Sequence, residues 1–129
     1  MSIAKMISTH PDVRGALNET LAQAVHHANL CALICTSCAD ACLAEDMDMT
    51  QCIRTCLDCA DICGATARVA TRRAGSNEDM LRAQLQACIT ACRICAEECE
   101  RHDHEHCRMC AQMCRECLAD CEAALASIG

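Results

Sequence analysis

The chain has 129 residues, a formal net charge of −7 and no Phe, Tyr or Trp. That length serves one domain, residues 1–129, with one core. The negative charge argues against a nucleic-acid partner, which calls for basic patches, and no run of about 18 apolar residues offers a membrane span. The apolar fraction of 53% counts 17 Cys as hydrophobic. Leu, Ile, Val, Met and Ala supply the hydrocarbon, a modest amount for a core that ordinarily leans on aromatic and branched side chains, so something further must fill or tie the interior.

Met1 to Asp12 carries one Lys and no apolar stretch of the kind a secretory signal needs, and the expected location is cytoplasmic. The first helix is expected from Asp12 to Glu45, with Pro11 suited to a first turn. It is too long: at about 1.5 Å per residue it overshoots the other helices by several turns. A break before Cys31, near Asn29, is therefore expected, which leaves Asp12 to His27 as an extra N-terminal segment that covers one end or joins a partner subunit. A turn follows at Asp46–Met49. The second helix is expected from Thr50 to Ala74, opened by a capping box of Asp48 with Gln51 and closed by Gly75. Gly64 sits inside it at a cost of up to about 1 kcal/mol against Ala. Ser76 with Asp79 reads as a second capping box for a third helix that runs to Arg101. The last turn is Arg101–His104, and the fourth helix runs from Asp103 or Glu105 to Ser127. Short turns between long helices imply an all-α, antiparallel up-down-up-down four-helix bundle.

The cysteines carry the chemistry. They fall at Cys31, Cys35, Cys38 and Cys42 on the first helix, and at Cys52, Cys56, Cys59 and Cys63 on the second. The third carries Cys88, Cys92, Cys95 and Cys99, and the fourth Cys107, Cys110, Cys114, Cys117 and Cys121. Steps of three and four residues are the inward seam of a bundle, so each helix points a column of thiols at the core. A disulfide scaffold, the usual reading of so many cysteines, is opposed by the odd count, the long helices and the strict rhythm. Cysteines four apart on one helix stack rather than face each other. Seventeen small buried hydrophobes would leave a loose core.

Metal ligation remains. Soft thiolates select Cu(I), Zn(II) or iron–sulfur clusters. Zinc wants four ligands converging on one point and a cluster wants a separated group of four, whereas these columns have no natural grouping. Cu(I) accepts two or three sulfurs and lets thiolates bridge neighbouring ions. Charge agrees: burying about 17 thiolates is ruinous unless compensated. One Cu(I) per sulfur neutralises the interior, giving a load on the order of 17 ions, whereas four Zn(II) leave about half the charge unpaired.

The turns at 46–49 and 101–104 share one end, which gathers Met47, Met49, His102, His104, His106 and Cys107. These softer donors mark a mouth for metal entry, with His104 the first choice among the histidines and Met109 and Met113 beside Cys110. The other end collects Leu17, Leu21, Leu81, Leu85, Leu125 and Ile128 as a hydrocarbon plug, with His10, His26 and His27 read as surface or packing residues. Asp40, Glu45, Asp58, Asp61, Glu97, Glu98 and Asp120 read as solvated outer faces. No Ser/His/Asp or Cys/His grouping calls for catalysis, so the chain does not read as an enzyme.

The four cysteine-lined helices, with the His and Met residues near Cys107, closely resemble the bacterial copper storage proteins, and nearly the whole chain shares the likeness. The resemblance implies a four-helix bundle that binds many Cu(I) ions in its core, assembles as an oligomer, often a tetramer, and takes in copper at the end marked by Met47, Met49, His104 and Cys107. Exported members carry a twin-arginine signal, which Met1 to Asp12 does not show, so the likeness is to the cytosolic branch. The alternative is a store for zinc or mixed thiophilic metals.

Overall fold

A computed structural model describes residues 1–72 and 77–128, and no strand occurs among them. Five helices follow in order: α1 (Ile3–Ser8), α2 (Glu19–Leu43), α3 (Thr50–Thr71), α4 (Glu78–Cys99) and α5 (Glu105–Ser127). The four long helices pack as a ring in which α2 touches α3 and α5, and α4 touches α3 and α5, while α1 rests on α2. The expected four-helix bundle is present, with the thiol columns on its axis.

The extra N-terminal segment differs from its expected form. Residues 12–18 are not helical, and α2 runs unbroken past Asn29. The reason is local. Pro11 lies in a turn, and Arg14 and Gly15 have φ of +50° and +81°, a region that no right-handed helix can include and that favours glycine. Asn18 then caps α2, its side chain accepting from the Leu21 N–H at 3.0 Å. Its amide also donates to Ser127 Oγ at 2.9 Å, which pins the start of α2 to the end of α5. Asn29 is exposed and strains nothing. With the start at Glu19, the long helices have 25, 22, 22 and 23 residues and the overshoot disappears. The short α1 is capped by Ser2, whose hydroxyl accepts from Lys5 N–H at 3.1 Å.

The other boundaries depart by small amounts. Asp48 accepts from the Thr50 N–H at 3.0 Å and from its hydroxyl at 2.6 Å. Gln51 reaches forward to Thr55 instead of back, and Met49 holds the cap position without a side-chain bond, so the expected capping box of Asp48 with Gln51 is not made. α4 ends at Cys99 rather than Arg101. The expected roles of Ala74, Gly75 and Ser76 lie outside the described residues.

One end of the axis is hydrocarbon: Leu21, Leu81, Leu85, Ala24, Ala28, Ala70 and Ala124 are all at most 1% exposed. Ile128 is buried with them, while Leu17 and Leu125 are half-buried. Arg82 donates to the Ile128 carbonyl at 2.7 Å and ties α4 to the last turn of α5. Gly64, in mid-α3, is not required by a close approach. A Cβ there would meet Ala32 Cβ at 3.9 Å, ordinary contact. Gly64→Ala should therefore stabilise the metal-free protein by about 0.5–1 kcal/mol, read as a raised midpoint in denaturant. A lowered midpoint would show that α2 and α3 are closer than this.

Candidate metal centre

All 17 cysteines are free and buried. The inward register follows from the steps of three and four residues, which return each side chain to one stripe of its helix. Neighbouring sulfurs stand close: Cys63 to Cys92 at 3.6 Å, Cys63 to Cys88 at 3.7 Å, Cys35 to Cys110 and Cys114 at 3.7 Å, Cys56 to Cys99 at 3.7 Å and Cys42 to Cys52 at 3.8 Å. A metal–thiolate bond of about 2.3 Å separates the sulfurs by about 4.0 Å when three surround an ion in a plane, and by about 3.8 Å when four surround it. The side chains therefore already stand where ligands would.

What distinguishes the site is that its ligand sets overlap. Within 4.8 Å of one another lie Cys31, Cys59, Cys63 and Cys92; then Cys31, Cys35, Cys59 and Cys114; then Cys35, Cys95, Cys110 and Cys114; then Cys38, Cys56, Cys99 and Cys110; then Cys38, Cys42, His106 and Cys107. The first two share Cys31 and Cys59, the second and third share Cys35 and Cys114, and Cys110 and Cys38 carry the sequence on to the mouth. Each of these five sets shares a sulfur with a neighbouring one. An ion in any one of them would share sulfurs with the next.

These thiols cannot all ionise. A thiolate at one position is stabilised by hydrogen bonds from its neighbours, which are thereby held as thiols. Cys31 is pulled down by the thiols of Cys114, Cys117, Cys35 and Cys59, while Cys35 is pushed up by Cys110, Cys114 and Cys31. Cys38 is lowered to about 6: Cys110 opposes, but hydrogen bonds from Cys56, Cys99 and His106 prevail. Cys107 is pushed up to about 12, by burial first and then by the charge of Cys38.

The mouth is built by the turns that end α2 and α4. His106 Nδ1 lies 3.3 Å from Cys38 Sγ and 3.6 Å from Cys107 Sγ, and its Nε2 lies 2.8 Å from Glu45 Oε2. Burial works against its charged form, but Cys38 and Glu45 outweigh that and raise its pKa. His104 caps α5 with an extended backbone and engages the same carboxylate oxygen at 3.3 Å. The sequence favoured His104; the structure sets His106 against the thiols and His104 one ring further out, stacked on it. Met49 and Met113 are buried, whereas Met47 and Met109 are 57% and 59% exposed, so Met109 faces away from Cys110.

Three carboxylates expected on solvated faces are engaged. Glu45 holds the two histidines. Glu98, only 9% exposed, accepts from Arg101 at 3.1 Å and pairs with His102 at 2.9 Å. Asp120 pairs with His27 across the α2–α5 seam. The i,i+4 spacing of Glu98 and His102 was a usable signal; the other two pairs join distant parts of the chain. Asp40, Asp58, Asp61 and Glu97 are exposed as expected.

A helical bundle lined by overlapping thiol sets, plugged at one end and bearing imidazoles at the other, defines a protein that holds many soft metal ions. Residues 17–126 match the family model described as copper storage protein, and the chain belongs to that family. The copper storage protein Ccsp of Streptomyces lividans, solved loaded with 10 copper equivalents, is 45% identical, with a TM-score of 0.91 over 97% of this chain and 98% of that one. A structure of copper loading to a cytosolic copper storage protein from the same organism, with five coppers, is 50% identical, with a TM-score of 0.83 over 86% and 96% of the two chains. The uncharacterised cysteine-rich protein YhjQ of Bacillus subtilis (strain 168) is 32% identical over 98 residues, 74% of this chain and 87% of YhjQ.

Because the Cys38 pKa lies below its ordinary 9.0, this thiol should ionise at lower pH than an ordinary one. Thiolate absorbance near 240 nm in anaerobic metal-free protein should rise between about pH 5 and 7, and the rise should shrink in Cys38→Ser. A trace flat up to pH 8 in the parent protein would contradict this assignment.

Proposed function

We propose that the chain stores multiple Cu(I) ions on the thiolates of its 17 cysteines, admits them at the His/Met end, and thereby buffers or detoxifies copper in the cytosol. The overlap of the ligand sets carries this reading. Sharing of Cys31, Cys59, Cys35, Cys114, Cys110 and Cys38 between successive sets suits an ion that takes few sulfurs and accepts bridging thiolates. It suits poorly an ion that wants four ligands to itself, as Zn(II) does. Each Cu(I) that enters displaces thiol protons and cancels one thiolate charge, so the interior approaches neutrality as it fills. The Streptomyces lividans structures with five and ten coppers support a large load in a bundle of this kind, and the five-copper protein is a cytosolic copper storage protein, which supports the location.

A single domain carries the store. Met49 and Met113, buried beside the column, and His104 with the exposed Met47 at the mouth supply weaker contacts to ions on their way in. The protein acts by binding and has no catalytic cycle. It assembles as a homotetramer, which the exposed apolar side chains Leu33, Leu43, Leu57 and Ile94 support as surface to be covered. Sedimentation at micromolar concentration should give a particle of about 56 kDa from chains of 13.9 kDa; a 13.9 kDa particle would refute the tetramer and leave the storage reading intact.

The storage reading is tested by anaerobic titration of fully reduced protein with Cu(I) against a competing Cu(I) chelator, with Zn(II) run in parallel. The expected endpoint is close to one Cu(I) per cysteine, on the order of 17 per chain, with few or weak zinc sites. An endpoint near four ions with preference for Zn(II) would sink the reading and indicate separate tetrahedral sites.

A further inference from the structure

The mouth brings two kinds of donor to one place. Glu45 Oε2 lies 2.8 Å from His106 Nε2 and 3.3 Å from His104 Nδ1, and the two rings are stacked 5.5 Å apart at 3°. Donor atoms bound side by side to an ion at about 2.0–2.2 Å stand about 2.8–3.1 Å from one another. The Glu45 oxygen thus stands from each imidazole nitrogen at close to the separation of adjacent ligands on one ion. Nitrogen and oxygen in that geometry suit Cu(II), while thiolates suit Cu(I). The opposite nitrogen of the same ring, His106 Nδ1, faces Cys38 and Cys107 at 3.3 and 3.6 Å. One imidazole therefore separates a donor set for the cupric ion from the first thiols of the column.

We propose that Glu45, His104 and His106 receive Cu(II), and that Cys38 and Cys107 reduce it, so that the store takes up copper in either oxidation state. The proposal rests on the storage reading. Cys38 and Cys107 are on neighbouring helices with their sulfurs within 4.8 Å. Two Cu(II) ions arriving in turn each accept one electron. The two thiols give up two electrons and two protons and form one S–S bond. The products are two Cu(I), one disulfide and two protons released to water at the mouth. The Cu(I) passes to Cys42 and on to Cys52, 3.8 Å beyond. A small-molecule thiol reopens the disulfide by exchange, two of its molecules becoming one disulfide. The step is stoichiometric: without added thiol it happens once per mouth.

The test adds two equivalents of Cu(II) to reduced, metal-free protein under anaerobic conditions. The cupric EPR signal is followed, copper is then removed with a Cu(I) chelator, thiols are counted, and the disulfide is located by peptide mass. The expected result is loss of the signal, one thiol lost per Cu(II), and a Cys38–Cys107 disulfide. In Glu45→Gln and in His104→Gln the signal should decay at least tenfold more slowly. A persistent signal, equal rates in parent and variants, or a disulfide lying only deep in the column, such as Cys63–Cys92, overturns the proposal. A Cu(I) titration of the same preparations separates the two readings. If the Cu(I) endpoint is normal while Cu(II) is not reduced, only this inference fails; if the Cu(I) endpoint itself is missing, the storage reading fails with it.

Discussion

The contact of sulfur with sulfur along the bundle axis governs the rest of the molecule. The thiols touch at 3.6–4.0 Å, so as neutral groups they fill the interior that aromatic side chains would fill elsewhere. As anions they could not stay there. A column of buried like charges costs far more than the fold can supply, which is why ionisation at one sulfur suppresses it at the next. The same atoms are packing material when protonated and ligands when not, and only a cation arriving with the loss of the proton allows the change. Cargo binding and proton release are linked through that exchange.

The asymmetry of the axis follows from where the thiols stop. Beyond the last thiols at the plugged end the inward positions become Ala28, Ala70 and Ala124, then Leu21, Leu81 and Leu85, all almost fully buried. A hydrocarbon layer offers an ion nothing to bind and seals that end. At the other end the inward positions run out into turns, and the donors become imidazole, thioether and carboxylate. The two ends of the axis thus differ in chemistry, one of hydrocarbon and the other of donors.

The column and the bundle were legible because one residue type marks the core register on every helix. Few sequences label their inward face so plainly, and the thiol spacing placed four helices and the buried face of each. The start of α2 was not legible. Asp12–Leu17 has a composition that passes for helix, and only the backbone of Arg14 and Gly15, with positive φ, and the cap at Asn18 show that it is not. Nor were the carboxylates that serve the histidines. Glu45 meets His106 across 61 positions and Asp120 meets His27 across 93, contacts set by helix packing rather than by local spacing. Without Glu45 in view, His104 and His106 could not be ranked. Both lie beside Cys107 in the chain, but only one of them has a nitrogen turned to the thiols.

Overlapping ligand sets also explain why this core suits a store rather than a structural metal site. A closed set of four thiolates holds one ion at fixed geometry, and the fold comes to depend on it, as in zinc fingers. Here the plug, the Asn18–Ser127 bond, the His27–Asp120 pair and the Arg82–Ile128 bond hold the helices independently of any ion. The sulfurs already stand at ligand spacing, so filling requires little movement of the backbone. Because Cys31, Cys59, Cys35, Cys114, Cys110 and Cys38 each belong to two successive sets, an ion can gain a bond to the next set before it gives up its bond to the last. A partly filled column is then as well formed as an empty or a full one. A store whose load rises and falls with supply needs that property, and a sequence of closed four-thiolate sites would lack it.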